Sequence, residues 1–298
     1  LSVSGTTTIN TSTVTSSSTQ LFTGNLTLGT DVTLTGSTIT TNGTIVGGTH
    51  ALTVTGNAVF GNSTDDTLTG LTTLSVSGTS TINTSTVTSS GTQTYSGAVT
   101  LGTGVTMTTT SNGNISFGSS ISNSSAMNLT LDTGLTSGTI SVTGAVGSGT
   151  ALGTLTITKS AGTTFSSTVN AATIILTDSK VGTNITFSDN VTATTGLTVS
   201  AGTAAYNVVF NGASNTITNA VTFSNTGSVT LGNGSDTIAF TGGVTALAPS
   251  QVNIAGTVLA TNTAISIGDS GTPIVLTANT TISGNTSGNI TLGGTVNG

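Results

Sequence analysis

The groups that could carry acid–base, metal or nucleophilic chemistry are few and scattered. Among 298 residues there is no Cys, Trp, Arg or Glu; the one histidine is His50, the cations are Lys159 and Lys180, and all eight acids are Asp. His50 could serve as the base of a Ser–His–Asp triad, with an aspartate holding its tautomer. No G-x-S-x-G elbow presents a nucleophilic serine, and Gly47, Gly48 and Thr49 before it read as a turn. A sugar-cleaving cleft needs paired carboxylates. Lys159 and Lys180 lie 21 residues apart, near Asp178 and Asp189, and read as a solvated charged group on consecutive coils. Calcium has two candidate turns. Gly232-Asn233-Gly234-Ser235-Asp236 partly matches the nonapeptide of calcium-binding β-rolls, and the stretch with Asp65 and Asp66 echoes it more loosely. A β-roll ion is shared between adjacent repeats, and each of these stands alone. The expectation is no catalytic residue, no cofactor and no metal requirement.

Two further patterns are polar and uncharged. Asn-x-Ser/Thr sequons recur, as at Asn25, Asn62, Asn128 and Asn285, at about the frequency that abundant Ser and Thr produce by chance; they are acceptors for glycosylation if the chain is exported. Thr-x-Thr pairs such as Thr11/Thr13, Thr33/Thr35, Thr53/Thr55 and Thr106/Thr108 are of the type that binds ice. That use needs the pairs in register on one face, coil after coil, and their dispersion and the irregular spacing argue against it.

The elements that must position these groups follow from composition. Only 3% of residues are charged, against roughly a quarter in globular domains. Disordered chains lack aliphatic and β-branched residues, whereas Val, Ile, Leu and Thr recur throughout this one. The strong helix formers are nearly absent, and no apolar stripe has helical period. Two Lys and no Arg cannot neutralise a phosphate track, which excludes a nucleic-acid partner. No apolar run is long enough for a transmembrane helix.

The period is that of strands. Short alternating runs such as Leu26-Thr27-Leu28 and Leu52-Thr53-Val54 end in Gly, Asn or Ser. A long repeat overlies them: Leu1 to Gln20 and Leu74 to Gln93 differ only at Thr7/Ser80 and Ser18/Gly91, an offset of 73 residues. Gaps this short hold no crossover helix, and strands this short are stable only when stacked. Both an antiparallel sandwich and a parallel β-helix satisfy the alternation. Uniform composition favours an all-β, right-handed parallel β-helix over 1–298, a single continuous solenoid segment. At roughly 20 residues per coil it would have about fifteen coils, stacked at ~4.8 Å. Val, Ile, Leu and Phe would face inward and Thr and Ser outward. Asn would stack in amide ladders at bends, and Pro249 and Pro273 would sit at corners, where no ladder donor is lost.

The phrases Gly91 to Gly102, Val229 to Asp236 and Asn289 to Gly293 resemble the β-strand repeats of filamentous-haemagglutinin-like and autotransporter-like surface proteins of Gram-negative bacteria. The resemblance implies export, a right-handed parallel β-helix, and service as a stalk, adhesin or matrix fibre, with no catalytic motif. The expected function is therefore a non-catalytic extracellular stalk or filament segment of a longer repetitive chain. Alternatives are an adhesin module with a cell-surface or matrix ligand, an ice-binding solenoid and a polysaccharide-acting β-helix enzyme. Both ends begin and stop in strand pattern, so the expected partners are further coils of the same chain or copies stacked end to end.

Overall fold

A computed structural model describes residues Leu1–Gly298. The chain is all-β with no helix, a parallel β-solenoid of about 13 turns. It divides into two compact units, Leu1–Leu152 and Gly153–Gly298.

In the first unit each turn carries three strand segments, and each segment pairs with its counterpart one turn on. On a first face Val3 is level with Phe22, Phe22 with Thr41, Thr41 with Phe60, Phe60 with Ile82, and Ile82 with Leu101. On a second, Leu26 is level with Ile45, Ile45 with Leu68, Leu68 with Val87, and Val87 with Met107. On a third, Val14 is level with Leu34, Leu34 with Val54, Val54 with Val76, Val76 with Tyr95, and Tyr95 with Phe117. All pairings are parallel. Alternation puts these side chains inside and the residues between them outside, and most of the inward positions are fully buried.

About 13 turns is fewer than the fifteen expected, because many turns are longer than the 20 residues assumed, as at Phe165 to Phe187 and Phe187 to Phe210. Phe22 to Thr41 is a step of 19, but Phe60 to Ile82 is 22. The additional residues lie in turns, as at Gly61 to Asp66, and in bulges within long strands, as around Ser37 and Thr49, beyond which each ladder resumes.

The second unit is built alike. Phe165 is level with Phe187 and Phe187 with Phe210, and their rings stack at centroid distances of 5.1 and 5.0 Å. Each such stack adds about 0.5–1.5 kcal/mol beyond area burial. Beyond them Leu231 and Ile254 continue the file. All eight Phe and both Tyr are buried.

The corners differ in one respect from expectation. One amide pair stacks as a ladder, Asn207 donating to Asn184 Oδ1 at 2.9 Å. More often the Asn carbonyl accepts a backbone N–H of the adjoining turn, as Asn25 does from Thr44, Asn57 from Thr79, Asn114 from Thr139 and Asn190 from Ser214. The amide thus satisfies a backbone donor that the corner takes out of the ladder. Pro249 and Pro273 do lie at corners.

Candidate functional site

The charged groups do not converge. No three His, Asp or other ligating side chains come together. His50 lies at a bulge of the strand Ile45–Phe60, after Gly48 and Thr49, both at positive φ. Its Nδ1 is 3.6 Å from Asp31 Oδ1, and the aspartate is 74% exposed. The same carboxylate oxygen accepts the Ala51 N–H at 2.8 Å, so Asp31 braces the bulge. Solvent screens such an exposed pair.

Each of the two calcium-candidate turns is closed on itself by an aspartate. Asp66 Oδ2 accepts the N–H groups of Asn62 and Ser63 at 3.0 and 3.1 Å. Asp236 Oδ2 accepts the Asn233 N–H at 2.6 Å. Both turns begin with a positive-φ glycine, Gly61 and Gly232, and the aspartate closes each by accepting main-chain donors. Asp65 is exposed beside Asp66.

The expected charge cluster is split. Lys180 donates its backbone N–H to Ser160 at 2.8 Å, which puts it one coil on from Lys159, and both lysines are exposed. Asp178 instead points inward and is 2% exposed. Its Oδ2 accepts both the N–H and the hydroxyl of Thr203, at 2.9 and 2.6 Å, while Oδ1 has no partner. Asp189 caps the next backbone N–H, that of Asn190. The four groups therefore do not share one solvated surface, Asp178 being buried on Thr203, because a shared neighbourhood along the chain does not fix which way each side chain points. The sequon asparagines Asn25, Asn62, Asn128 and Asn285 are all exposed.

Sequence reasoning missed two buried polar positions. Gln20 and Gln93 are fully buried. Gln20 Nε2 donates to the Val14 and Thr35 carbonyls at 2.9 and 2.8 Å. Gln93 Nε2 donates to Val87 and Thr108 at 3.3 and 2.9 Å. The signal was the shared position of both glutamines at the end of the 20-residue repeat. Burial pushes the phenols of Tyr95 and Tyr206 far above the ordinary range, with the Asp178 charge adding to the effect at Tyr206.

The most regular exposed feature is uncharged. On the third face of the first unit the residues flanking each inward side chain point out. Thr13 is level with Thr33 and Thr33 with Thr53; Thr15 is level with Thr35 and Thr35 with Thr55. The first of these files continues through Ser75, Thr94, Ser116 and Ser141. Of the pairs named from the sequence, Thr33/Thr35 and Thr53/Thr55 are in register here together with Thr13/Thr15, whereas Thr106/Thr108 lie on the second face and Thr11 has no partner in the ladder, so the dispersion read from spacing holds in part. Irregular coil length is taken up in turns and strand bulges outside these short paired segments. A cavity of about 120 Å³ lies at the corner between the second and third faces, lined by Thr49, Leu71, Thr88 and Thr110 among others. It has room for a few waters and no ionisable group in its lining.

No protein-family model, curated protein or solved structure matches this chain.

Proposed function

We propose that this chain is a non-catalytic structural segment of an extracellular bacterial surface protein, a stalk or filament of right-handed β-solenoid coils. The observation that carries this reading is the repetitive stacking of in-register turns within each unit, with the acids, lysines and histidine dispersed over them rather than gathered at a cleft. Acid–base or hydrolytic chemistry needs convergent groups within hydrogen-bond reach. The resemblance of its strand phrases to those of large Gram-negative surface proteins supports the same reading.

Stacked coils suit such a role because a turn of this kind satisfies its backbone on the turns above and below. At the final turn Ile290, Leu292 and Val296 are 44%, 41% and 47% exposed. These residues continue files that are buried at Ile265, Ile267 and Ile274.

The test is immunogold electron microscopy of native cells with an antibody raised to residues 1–298. Label along surface fibres supports the proposal. Label confined to the cytosol, or surface label with no extended structure, overturns it.

A further inference from the structure

We infer that the third face of the first unit is a binding surface for ice. The inference goes beyond a structural role and stands on different residues. Its centre is the block Thr13, Thr15, Thr33, Thr35, Thr53 and Thr55, three coils of Thr-x-Thr with every threonine level with its counterpart. Ser75 and Thr94 carry the first file on by two coils; the second ends at Thr55, because Ser77 lies in the turn with its hydroxyl oxygen accepting the Gly56 N–H.

Three properties of this face select the ligand. The first is periodicity in two directions. Parallel strands sit ~4.8 Å apart, and alternate residues on one strand sit ~6.6 Å apart. Hydroxyls and methyls therefore repeat on a rectangular grid whose two spacings are close to the oxygen repeats on a prism face of ice. The second is that the hydroxyls are uncommitted. Serine and threonine at corners donate within the protein, as Ser16 does to Ser18, Ser89 to Gly91 and Thr109 to Gly113. The hydroxyls of Thr13, Thr15, Thr33, Thr35, Thr53 and Thr55 make no bond to another protein group. The third is charge. Neither file carries an ionised group across these coils, the nearest being the exposed Asp31 two residues before Thr33 at the edge of the face, which leaves the threonine block itself neutral to match an uncharged crystal surface.

Other occupants fit less well. A soluble small molecule needs a concave site, and the cavity of this unit lies at the corner entering the third face and has none of the block threonines in its lining. Protein partners anchor on exposed Trp, Tyr and Arg; the chain has no Trp or Arg, and both Tyr are buried. Sugar polymers stack on aromatic rings, and every ring here is inside. What remains is a periodic neutral solid that bonds to hydroxyls.

Ice shaping and thermal hysteresis of residues 1–298 would be measured by nanolitre osmometry, alongside partition of the chain into a growing ice hemisphere. Thr35→Tyr and Thr55→Tyr place a large ring on the grid. Thr81→Tyr and Thr100→Tyr place the same ring outward on the first face, where Thr81 is level with Thr100. The expected result is faceted ice and enrichment in the ice fraction for the unsubstituted chain and the first-face variants, with at least a tenfold loss for the third-face variants at unchanged circular dichroism. Freezing without facets by the folded chain, equal loss in both variant pairs, or retention on crystalline cellulose in place of ice would each overturn the inference.

Discussion

The two copies of the repeat isolate the value of one hydroxyl. Gln20 and Gln93 hold equivalent backbone carbonyls, but their own carbonyls differ. Gln93 Oε1 accepts the Tyr95 hydroxyl at 3.2 Å, whereas Gln20 Oε1 is buried with no partner. The residue two beyond Gln20 is Phe22, which lacks the hydroxyl. An unsatisfied buried acceptor costs about 1–3 kcal/mol. Phe22→Tyr is expected to raise unfolding free energy by about 1 kcal/mol and Tyr95→Phe to lower it by a similar amount, read from urea melts; a destabilised Phe22→Tyr would show that the first coils cannot seat the group. The same phenols give an alkaline limit. A phenol held neutral in the fold and released at its ordinary value of 10.0 when unfolded stabilises fully below that pH. The contribution falls as pH rises above it, by about 1.4 kcal/mol per pH unit for each tyrosine. Melting temperature should therefore be flat through neutrality and drop steeply above the ordinary phenol value, with the drop roughly halved in Tyr206→Phe. An unchanged slope in that variant would remove Tyr206 from the account.

At the scale of the turn, corner glycines separate into those that are required and those that are not. Gly56 has φ +133°, and a Cβ there would lie 1.9 Å from the Gly36 carbonyl oxygen one coil below. Gly234 has open space around the same position and no positive φ. Gly56→Ala is expected to cost about 2 kcal/mol or more, and Gly234→Ala less than about 0.5 kcal/mol, compared by chemical denaturation; equal effects would mean that the coils shift to absorb the added methyl. Strand content was legible in the chain because alternation such as Val32-Thr33-Leu34-Thr35 has one physical meaning, an inside and an outside. The corners were less legible. Nothing in the composition distinguishes an Asn that brackets the next coil, like Asn57, from one that stacks on another amide, like Asn207. Side-chain direction was hardest: Asp178 and Asp189 look alike in the chain, yet one is buried on Thr203 and the other caps its neighbour. Register on the third face was misjudged for a related reason. Coil length counts turn and bulge residues, which vary, while the ladder depends on the short paired segments between them.

Across the first unit the 73-residue repeat is out of step with the coil. Ser2 and Val3 lie on the first face, level with Leu21 and Phe22, whereas their repeat equivalents Ser75 and Val76 lie on the third, level with Thr53 and Val54. One 20-residue sequence therefore builds the same local structure on different faces, down to glutamines that each bond six residues back and fifteen ahead. The faces are interchangeable so long as each inward side chain stays inward, which makes alternation, not face identity, the constraint on the chain. Deleting Gln20 to Thr38, one full turn of 19 residues, joins Thr19 to Ile39 and leaves every later residue inward or outward as before. Deleting Gln20 to Leu28, nine residues, puts Asp31 at the inward place of Phe22 and turns Val32 outward; a one-residue change of parity exchanges the two sides of a strand. The full-turn deletion is expected to keep the β-type circular dichroism and a cooperative melt, with a smaller urea m-value because less surface is buried. The nine-residue deletion is expected to lose the cooperative transition or aggregate. A full-turn deletion that fails to fold, or two deletions that behave alike, would show that individual coils carry information beyond alternation.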